Sequence, residues 1–328
     1  MPPIQPIQPI QISEVGPRDG LQSVARTLSL QHKCAWITAL HAAGLREIEV
    51  GSFVPAALLP QLADTAQVVR HALTLPGLAV TALVPNRRGA EAALDAGVQV
   101  MSLPLSASEA HSMANLRRSR AQVLESLHDI AALRAERAPH TGLEVGLSTA
   151  FGCTLQGPVD EDEVMRLALA AAEAGADRVG LSDTTGMAHP AQVRRLFTRL
   201  RAELGPRAGA AHLHNTRGLG LANALAAWEA GVTTFDASQA GLGGCPYAPG
   251  ASGNVVTEDL VYMFEAMGLA TGVDLHRLAA ARQVLRQGLP GEPLHGMLLP
   301  AGLPKGFVYA DGRLPDAAPL DAGMEACQ

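Results

Sequence analysis

One phrase returns four times along this chain and constrains its fold more than any composition figure. It reads "HAAGLREIEVGS" at 41–52, "LDAGVQVMSLP" at 94–104, "AEAGADRVGLSD" at 172–183 and "WEAGVTTFDAS" at 228–238. Each copy ends an Ala-rich helical segment on Ala-Gly, at Gly44, Gly97, Gly175 and Gly231. Glycine closes a helix in the left-handed conformation without a Cβ penalty. Three or four residues later the chain enters an apolar, β-type run. Four more such runs lie between and before the copies: "IQISEV" from Ile10, "LAVTALV" from Leu78, "LEVGLSTA" from Leu143 and "GAAHLH" from Gly209. Helical patterns separate them over Ser29–Ala43, Pro60–Leu75, Arg87–Ala96, Asn115–Ala138, Asp160–Ala174, Pro190–Leu204, Leu219–Ala230 and Asn254–Gly268.

Eight strict alternations of strand and helix predict the α/β class and, within it, a closed (β/α)8 TIM barrel. An open doubly wound sheet is the competing architecture. It would carry a glycine-rich phosphate loop after an early strand, and "GLGLAN" and "GLGG" fail that spacing. The barrel is expected over residues 1–290. Residues 291–328 are Pro/Gly-rich without periodicity, a short irregular C-terminal extension that either lies over the barrel or is disordered.

Composition removes whole classes of function. A formal charge of −6 with 17% charged residues offers no basic surface for nucleic acid. Cys34, Cys153, Cys245 and Cys327 stand far apart without C-x-x-C pairs, so neither a disulfide framework nor a structural zinc site is indicated. The start "MPPIQPIQPIQI" lacks a signal peptide's basic and apolar regions, and no run is long enough to span a membrane. A soluble, cytoplasmic protein is expected.

In such a barrel, chemistry is built at the C-terminal ends of the strands. The first strand leads into "EVGPRDG" with Glu14, Arg18 and Asp19; the second carries Glu49 and then Ser52; the sixth runs into "SDTTG" with Asp183. The seventh is "AHLHNT", with His212 and His214, and the eighth leads through "AGLGGCPYAPGASGN" to Asn254. Alternate residues of a strand point the same way, so His212 and His214 can share one cation. Asp19 and Asn254 stand at neighbouring strand ends to complete a nitrogen and oxygen donor set. That set suits Mg, Mn or Co, with zinc also admissible. The chain has two lysines, Lys33 in the first helix and Lys305 in the tail. Neither is at a strand end, so carbon–carbon cleavage here would use a metal ion and not a Schiff base. Arg18 is placed either to stabilise a developing enolate oxygen or to pair with Glu14 or Glu49.

These segments, "EVGPRDGLQ" at 14–22, "IEVGSFV" at 48–54, "SDTTG" at 182–186, "HLHNT" at 212–216 and "AGLGGCPYAPGASGNVVTEDLVYM" at 240–263, resemble the 3-hydroxy-3-methylglutaryl-CoA lyases. That family belongs to the metal-dependent lyase and aldolase barrels that share an R-D-G segment, and the similarity spans residues 10–290. The resemblance implies retro-Claisen cleavage of an acyl-CoA to acetyl-CoA and acetoacetate, a divalent cation (Mg2+ or Mn2+), and a homodimer. It implies that Asp19, His212, His214 and Asn254 hold the cation and that Arg18 stabilises the enolate. Glu49 and Asp183 would lie near the substrate hydroxyl, with Asp183 or His214 as its base. Cys245 would be a thiol on a closing glycine-rich loop that supplies or relays a proton to carbon. Gln22, Ser52 and Phe53 would line the acyl pocket. Arg87, Arg88, Arg117 and Arg118 are candidate CoA phosphate contacts.

Two positions depart from the family pattern. Gly146 occupies the place of a usual aromatic residue on the fifth strand, enlarging the pocket, and Asn215 replaces an Asp after the second histidine. A lyase for citramalyl-CoA or a longer branched glutaryl-CoA is therefore an alternative. So is a Claisen-type synthase or a metal-binding barrel without catalysis.

Overall fold

The structure is a computed structural model that describes residues 9–243, 253–316 and 320. The described residues form eight parallel strands closed in chain order: β1 (Gln11–Glu14), β2 (Glu47–Ser52), β3 (Ala79–Leu83), β4 (Val100–Ser106), β5 (Gly142–Ser148), β6 (Arg178–Ser182), β7 (Ala208–His212) and β8 (Thr234–Ala237). Closure is made by β1 pairing with both β2 and β8. The predicted (β/α)8 barrel is thus the observed fold. All four repeat glycines have positive φ, between 86° and 109°, as a left-handed helix stop requires.

The outer ring carries α1 (Leu30–Ala42), α2 (Thr65–Ala72), α3 (Arg87–Ala96), α4 (Glu109–Leu116), α5 (Arg120–Arg137), α6 (Glu161–Glu173), α7 (Pro190–Leu204), α8 (Gly220–Glu229) and α9 (Thr257–Ala266). The chain then continues into α10 (Leu275–Gly288) and the short α11 (Leu298–Ala301). Side chains of Ser29, Asn86, Ser108, Ser119 and Asp160 accept the first free backbone N–H groups of α1, α3, α4, α5 and α6. Strand residues alternate as the pleat demands. Leu143, Val145 and Leu147 are buried under the helices, whereas Glu144, Gly146 and Ser148 face the barrel interior.

The structure differs from the sequence expectation at four helices. The run over Asn115–Ala138 breaks where Arg117 takes φ 54°, so that α4 and α5 are separate. The pattern over Pro60–Leu75 divides into a tight turn at Pro60–Leu62 and α2. The last expected helix starts at Thr257 and not Asn254, because Asn254 is drawn into a β-bridge with His214. Helix α10 was not anticipated; it packs on α1.

The described part of the extension lies on this outer layer. His295 N–H donates to Ala240 O (2.9 Å), Tyr309 Oη accepts from Leu275 N (2.9 Å), and Phe307 packs on Tyr262 with ring centres 5.7 Å apart. Among the described residues no helix is long and apolar enough to cross a membrane.

Candidate active site

Directly after β1 the chain makes one wide π-type turn, Gly16–Gly20, a local form common at functional sites. Three successive amides (Arg18, Asp19, Gly20) donate to the single carbonyl of Val15, which holds Arg18 and Asp19 side by side at the barrel mouth. Asp19 Oδ1 accepts from Arg18 Nη1 and from Gln22 Nε2, both at 2.6 Å. Its Oδ2 accepts from Asn254 Nδ2 at 2.7 Å and lies 3.9 Å from His212 Nε2. Burial alone would raise the Asp19 pKa. The Arg18 charge, then the two imidazoles and the Asn254 bond, reverse this and hold it at about 2.

His212 and His214, one residue apart at the end of β7, bring their Nε2 atoms to 3.1 Å from each other. Ligand atoms of Asp19, His212 and His214 all lie within 4.8 Å of one another, the one such His/Cys/Asp/Glu group found among the described residues. Asn254 Oδ1 and His214 Nδ1 are buried without a hydrogen-bond partner. A carboxylate held ionised, two converging imidazole nitrogens and an unpaired carbonyl oxygen fit a divalent cation. His214 is kept neutral by burial and by the neighbouring His212, with a pKa of about 4, as a ligating imidazole must be.

Arg18 also donates Nε to Glu49 Oε2 at 2.5 Å. Burial would lower the Arg18 pKa, but the Glu49 and Asp19 carboxylates outweigh it and raise it, so the guanidinium is a fixed charge. Glu49 Oε1 is buried and unpartnered; burial raises this carboxyl above its ordinary pKa despite Arg18.

A cavity of about 890 Å³ opens beneath these groups, and Arg18, Asp19, Gln22, Glu49, Ser52, His212 and His214 all stand in its wall. Phe53 does not. It follows Ser52 in an extended segment, so its ring turns to the other side, and Val54 lines the cavity instead. Asp183 is also outside the wall. Its Oδ1 accepts the amides of Met187 (2.8 Å) and Ala188 (3.1 Å) and so secures the loop after β6, while Oδ2 is buried and unpartnered. Burial, only partly offset by those amides, raises its pKa to about 7. Glu14, expected among the acids at the barrel mouth, is instead sealed under it. It accepts from Gly16 N, Gln239 N and Thr257 Oγ1, tying β1 to the loop after β8. Cys245 lies outside the described residues, as does Cys327. Cys153 is buried, with its Sγ accepting from Leu155 N, and is no part of the cavity wall. Of the four candidate phosphate-binding arginines, Arg117 alone lines the cavity; Arg87 pairs with Glu91 on the surface.

With this geometry in place, similarity to known proteins becomes decisive. The HMGL-like family model matches residues 9–285. The chain belongs to the HMGL-like family. It is 42% identical over 287 residues to a hydroxymethylglutaryl-CoA lyase of Bacillus subtilis, covering 87% of this chain and 94% of the relative. It is 40% identical over 306 residues to the (R)-citramalyl-CoA lyase of Chloroflexus aurantiacus, covering 90% and 96%. Among solved structures, an HMG-CoA lyase from Acinetobacter baumannii in complex with coenzyme A and 3-methylmalate superposes with TM-score 0.86 at 38% identity, over 90% of this chain and 96% of that one.

Three features of this HMGL-like barrel were not read from its sequence. Asp236 on β8 accepts from His212 Nδ1 at 3.1 Å, which orients the ring and turns the Nε2 lone pair toward Asp19. The strand-end alternation in "TFDAS" carried that signal, since Asp236 shares the inward face of Thr234. Asn215 Oδ1 accepts from Gly220 N at the start of α8, a bond that an Asp at this position could accept as well. Finally, the barrel interior below the site is polar, with Glu47, Glu144 and Arg178 on it.

Proposed function

We propose that this chain is a divalent-metal-dependent carbon–carbon lyase that cleaves 3-hydroxy-3-methylglutaryl-CoA or a close homologue into acetyl-CoA and a 3-keto acid, acetoacetate for the methyl compound. The observation that carries the reading is the convergence of Arg18, Asp19 and Glu49 from the β1 and β2 ends with His212, His214 and Asn254 over one cavity. Residues 1–290 would form the catalytic barrel and 291–328 its covering extension, in a homodimer.

Asp19, His212, His214 and Asn254 would hold Mg2+ or Mn2+, which supplies Lewis-acid polarisation of the substrate oxygens when bound. The remaining work falls to the chain. The 3-hydroxyl gives up its proton as the C2–C3 bond breaks. C3 becomes the keto-acid carbonyl, and the bonding pair stays on C2 as the acetyl-CoA enolate. Glu49 Oε1 is an unpartnered acceptor in the cavity wall and takes the role of base or of its immediate relay. Asp183, standing behind the wall, orders the β6 loop. Arg18 lies beside the developing negative charge and stabilises it. Cys245, on the Gly-rich loop, delivers a proton to C2 before release. Arg117 at the cavity wall is the cation best placed for the CoA phosphates.

The (R)-citramalyl-CoA lyase among the relatives supports a second reading, cleavage of citramalyl-CoA to acetyl-CoA and pyruvate. Turnover of purified protein with Mg2+ or Mn2+ on both thioesters, with a chelator control, tests the two. Chelator-sensitive release of acetyl-CoA and acetoacetate is expected. Release of free CoA from acetyl-CoA and a keto acid, with no cleavage, would favour a synthase instead.

A further inference from the structure

TIM-barrel interiors are filled by layers of bulky branched side chains. This one is not. Beside and below the Arg18–His212 tier the inward positions are small or polar, with Thr81, Ser102, Gly146, Gly180 and Ala210 among them, and the cavity continues to Glu47, Glu144 and Arg178.

Gly146 shows that the space is not a by-product of backbone needs. A Cβ built there would meet nothing nearer than Ser182 Oγ at 3.7 Å, an ordinary contact, and its φ is not in the left-handed region. Gly180 and Gly209 are different. Their Cβ atoms would lie 2.5 Å from Ala210 O and 2.9 Å from Gly180 N, because the β6–β7 register is irregular there. Those two glycines serve strand packing; Gly146 leaves room.

The far end of the space is polar and incomplete. Thr81 Oγ1 is buried with no partner, in a side chain 6% exposed. Glu47 and Glu144 face this deeper volume beside Arg178, which sits 3.3 Å from Glu144. A carboxylate entering this space would meet like charge, and an alkyl end would leave Thr81 Oγ1 unsatisfied.

We propose that the volume beside Gly146 is a subsite for the C3 substituent of the acyl-CoA. The preferred substrate is then a 3-hydroxyglutaryl-type thioester whose C3 group is longer than methyl and ends in a hydroxyl. This rests on the lyase reading above. Gly146 to Glu144 spans two strand residues, roughly 6.6 Å, the reach of a four-carbon chain with a terminal hydroxyl.

The test uses three thioesters with methyl, pentyl or 4-hydroxybutyl at C3 and compares kcat/KM with Mg2+ present. The wild type should prefer 4-hydroxybutyl to either competitor by about tenfold or more. Gly146→Phe, which fills the space, should lower the 4-hydroxybutyl to methyl ratio by about tenfold. Thr81→Val, of equal volume, should lower the 4-hydroxybutyl to pentyl ratio. Without any variant, 7-hydroxy-3-oxoheptanoate should inhibit methyl-substrate cleavage by the wild type at lower concentration than acetoacetate. A wild-type preference for methyl, with ratios unmoved by Gly146→Phe, overturns the subsite while leaving the lyase reading intact. Preference for pentyl overturns its polar end. Cleavage of none of the three refutes the lyase reading and the subsite with it.

Discussion

Asp236 touches no proposed substrate atom, yet it should control how tightly the site holds its cation. Its Oδ2 accepts from His212 Nδ1 at 3.1 Å, which fixes the tautomer with a lone pair on Nε2. The bond and the charge also overcome burial and raise the His212 pKa, making the imidazole a more basic ligand. A hydrogen bond to a charged group contributes roughly 1.5–3 kcal/mol. Partners of ligating histidines, when removed, typically cost about 10–100-fold in metal affinity. The two scales meet at about 2 kcal/mol, or ~30-fold. The side chains of His212 and Asp236 are 14% and 22% exposed, so solvent screens the pair only in part. Asp236→Asn keeps an acceptor but loses the charge, and should weaken Mn2+ by about tenfold; Asp236→Ala loses both and should approach about a hundredfold. Calorimetric or EPR titration of purified protein with Mn2+ reads this without any turnover assay, and a thermal melt controls for folding. Equal Mn2+ affinity in wild type, Asn and Ala variants would refute the reasoning, because His212 would then not depend on Asp236 or would not bind metal.

Two further outcomes follow from the same structure. Cys245→Ala should lower kcat by about 10²–10⁴-fold, the range for lost general acid catalysis, while Mn2+ affinity stays as in wild type; full turnover would remove the thiol from the mechanism. Glu144, facing Glu47, Arg178, Asp236 and Asp177, has its pKa raised by burial, then by Glu47, from 4.5 to about 7. The folded state therefore holds the proton more tightly than the unfolded state, and stability falls as pH rises from 4.5 through 7. The loss is about 3 kcal/mol at most, reduced by water in the cavity. Glu144→Gln should accordingly be more stable than wild type to denaturant at pH 8 and lose that advantage at pH 5. The same difference at both pH values would show that Glu144 does not titrate as argued.

The barrel was legible because its signals are local. A helix stop on Gly44, Gly97, Gly175 or Gly231 depends on a few adjacent residues, and so does the period-2 pattern of the strand that follows. The pairing of His212 with His214 was legible for the same reason: residues i and i+2 of a strand share a face wherever the strand sits. Helix boundaries were less so. Asn254 reads as the start of a helix, but its carboxamide and backbone are claimed by Asp19 and His214, partners far away in sequence.

Which carboxylates matter was decided only by tertiary structure. Glu14, Glu49 and Asp183 are equivalent candidates on the page of the sequence, each near a strand end, and Asp236 does not stand out there at all. In the folded barrel Glu14 is consumed by three donors under the floor of the site, Asp183 secures a loop, Glu49 faces the cavity beside Arg18, and Asp236 turns His212. The polar shaft beside Gly146 is likewise invisible in one dimension. It is the sum of inward positions from separate strands, and each looks unremarkable alone. The chain by itself determined the elements and the kinds of groups they carry. The roles of those groups came from strand register and closure, because a carboxylate's chemistry is set by the donors, charges and water around it, and those arrive from residues up to 243 positions away.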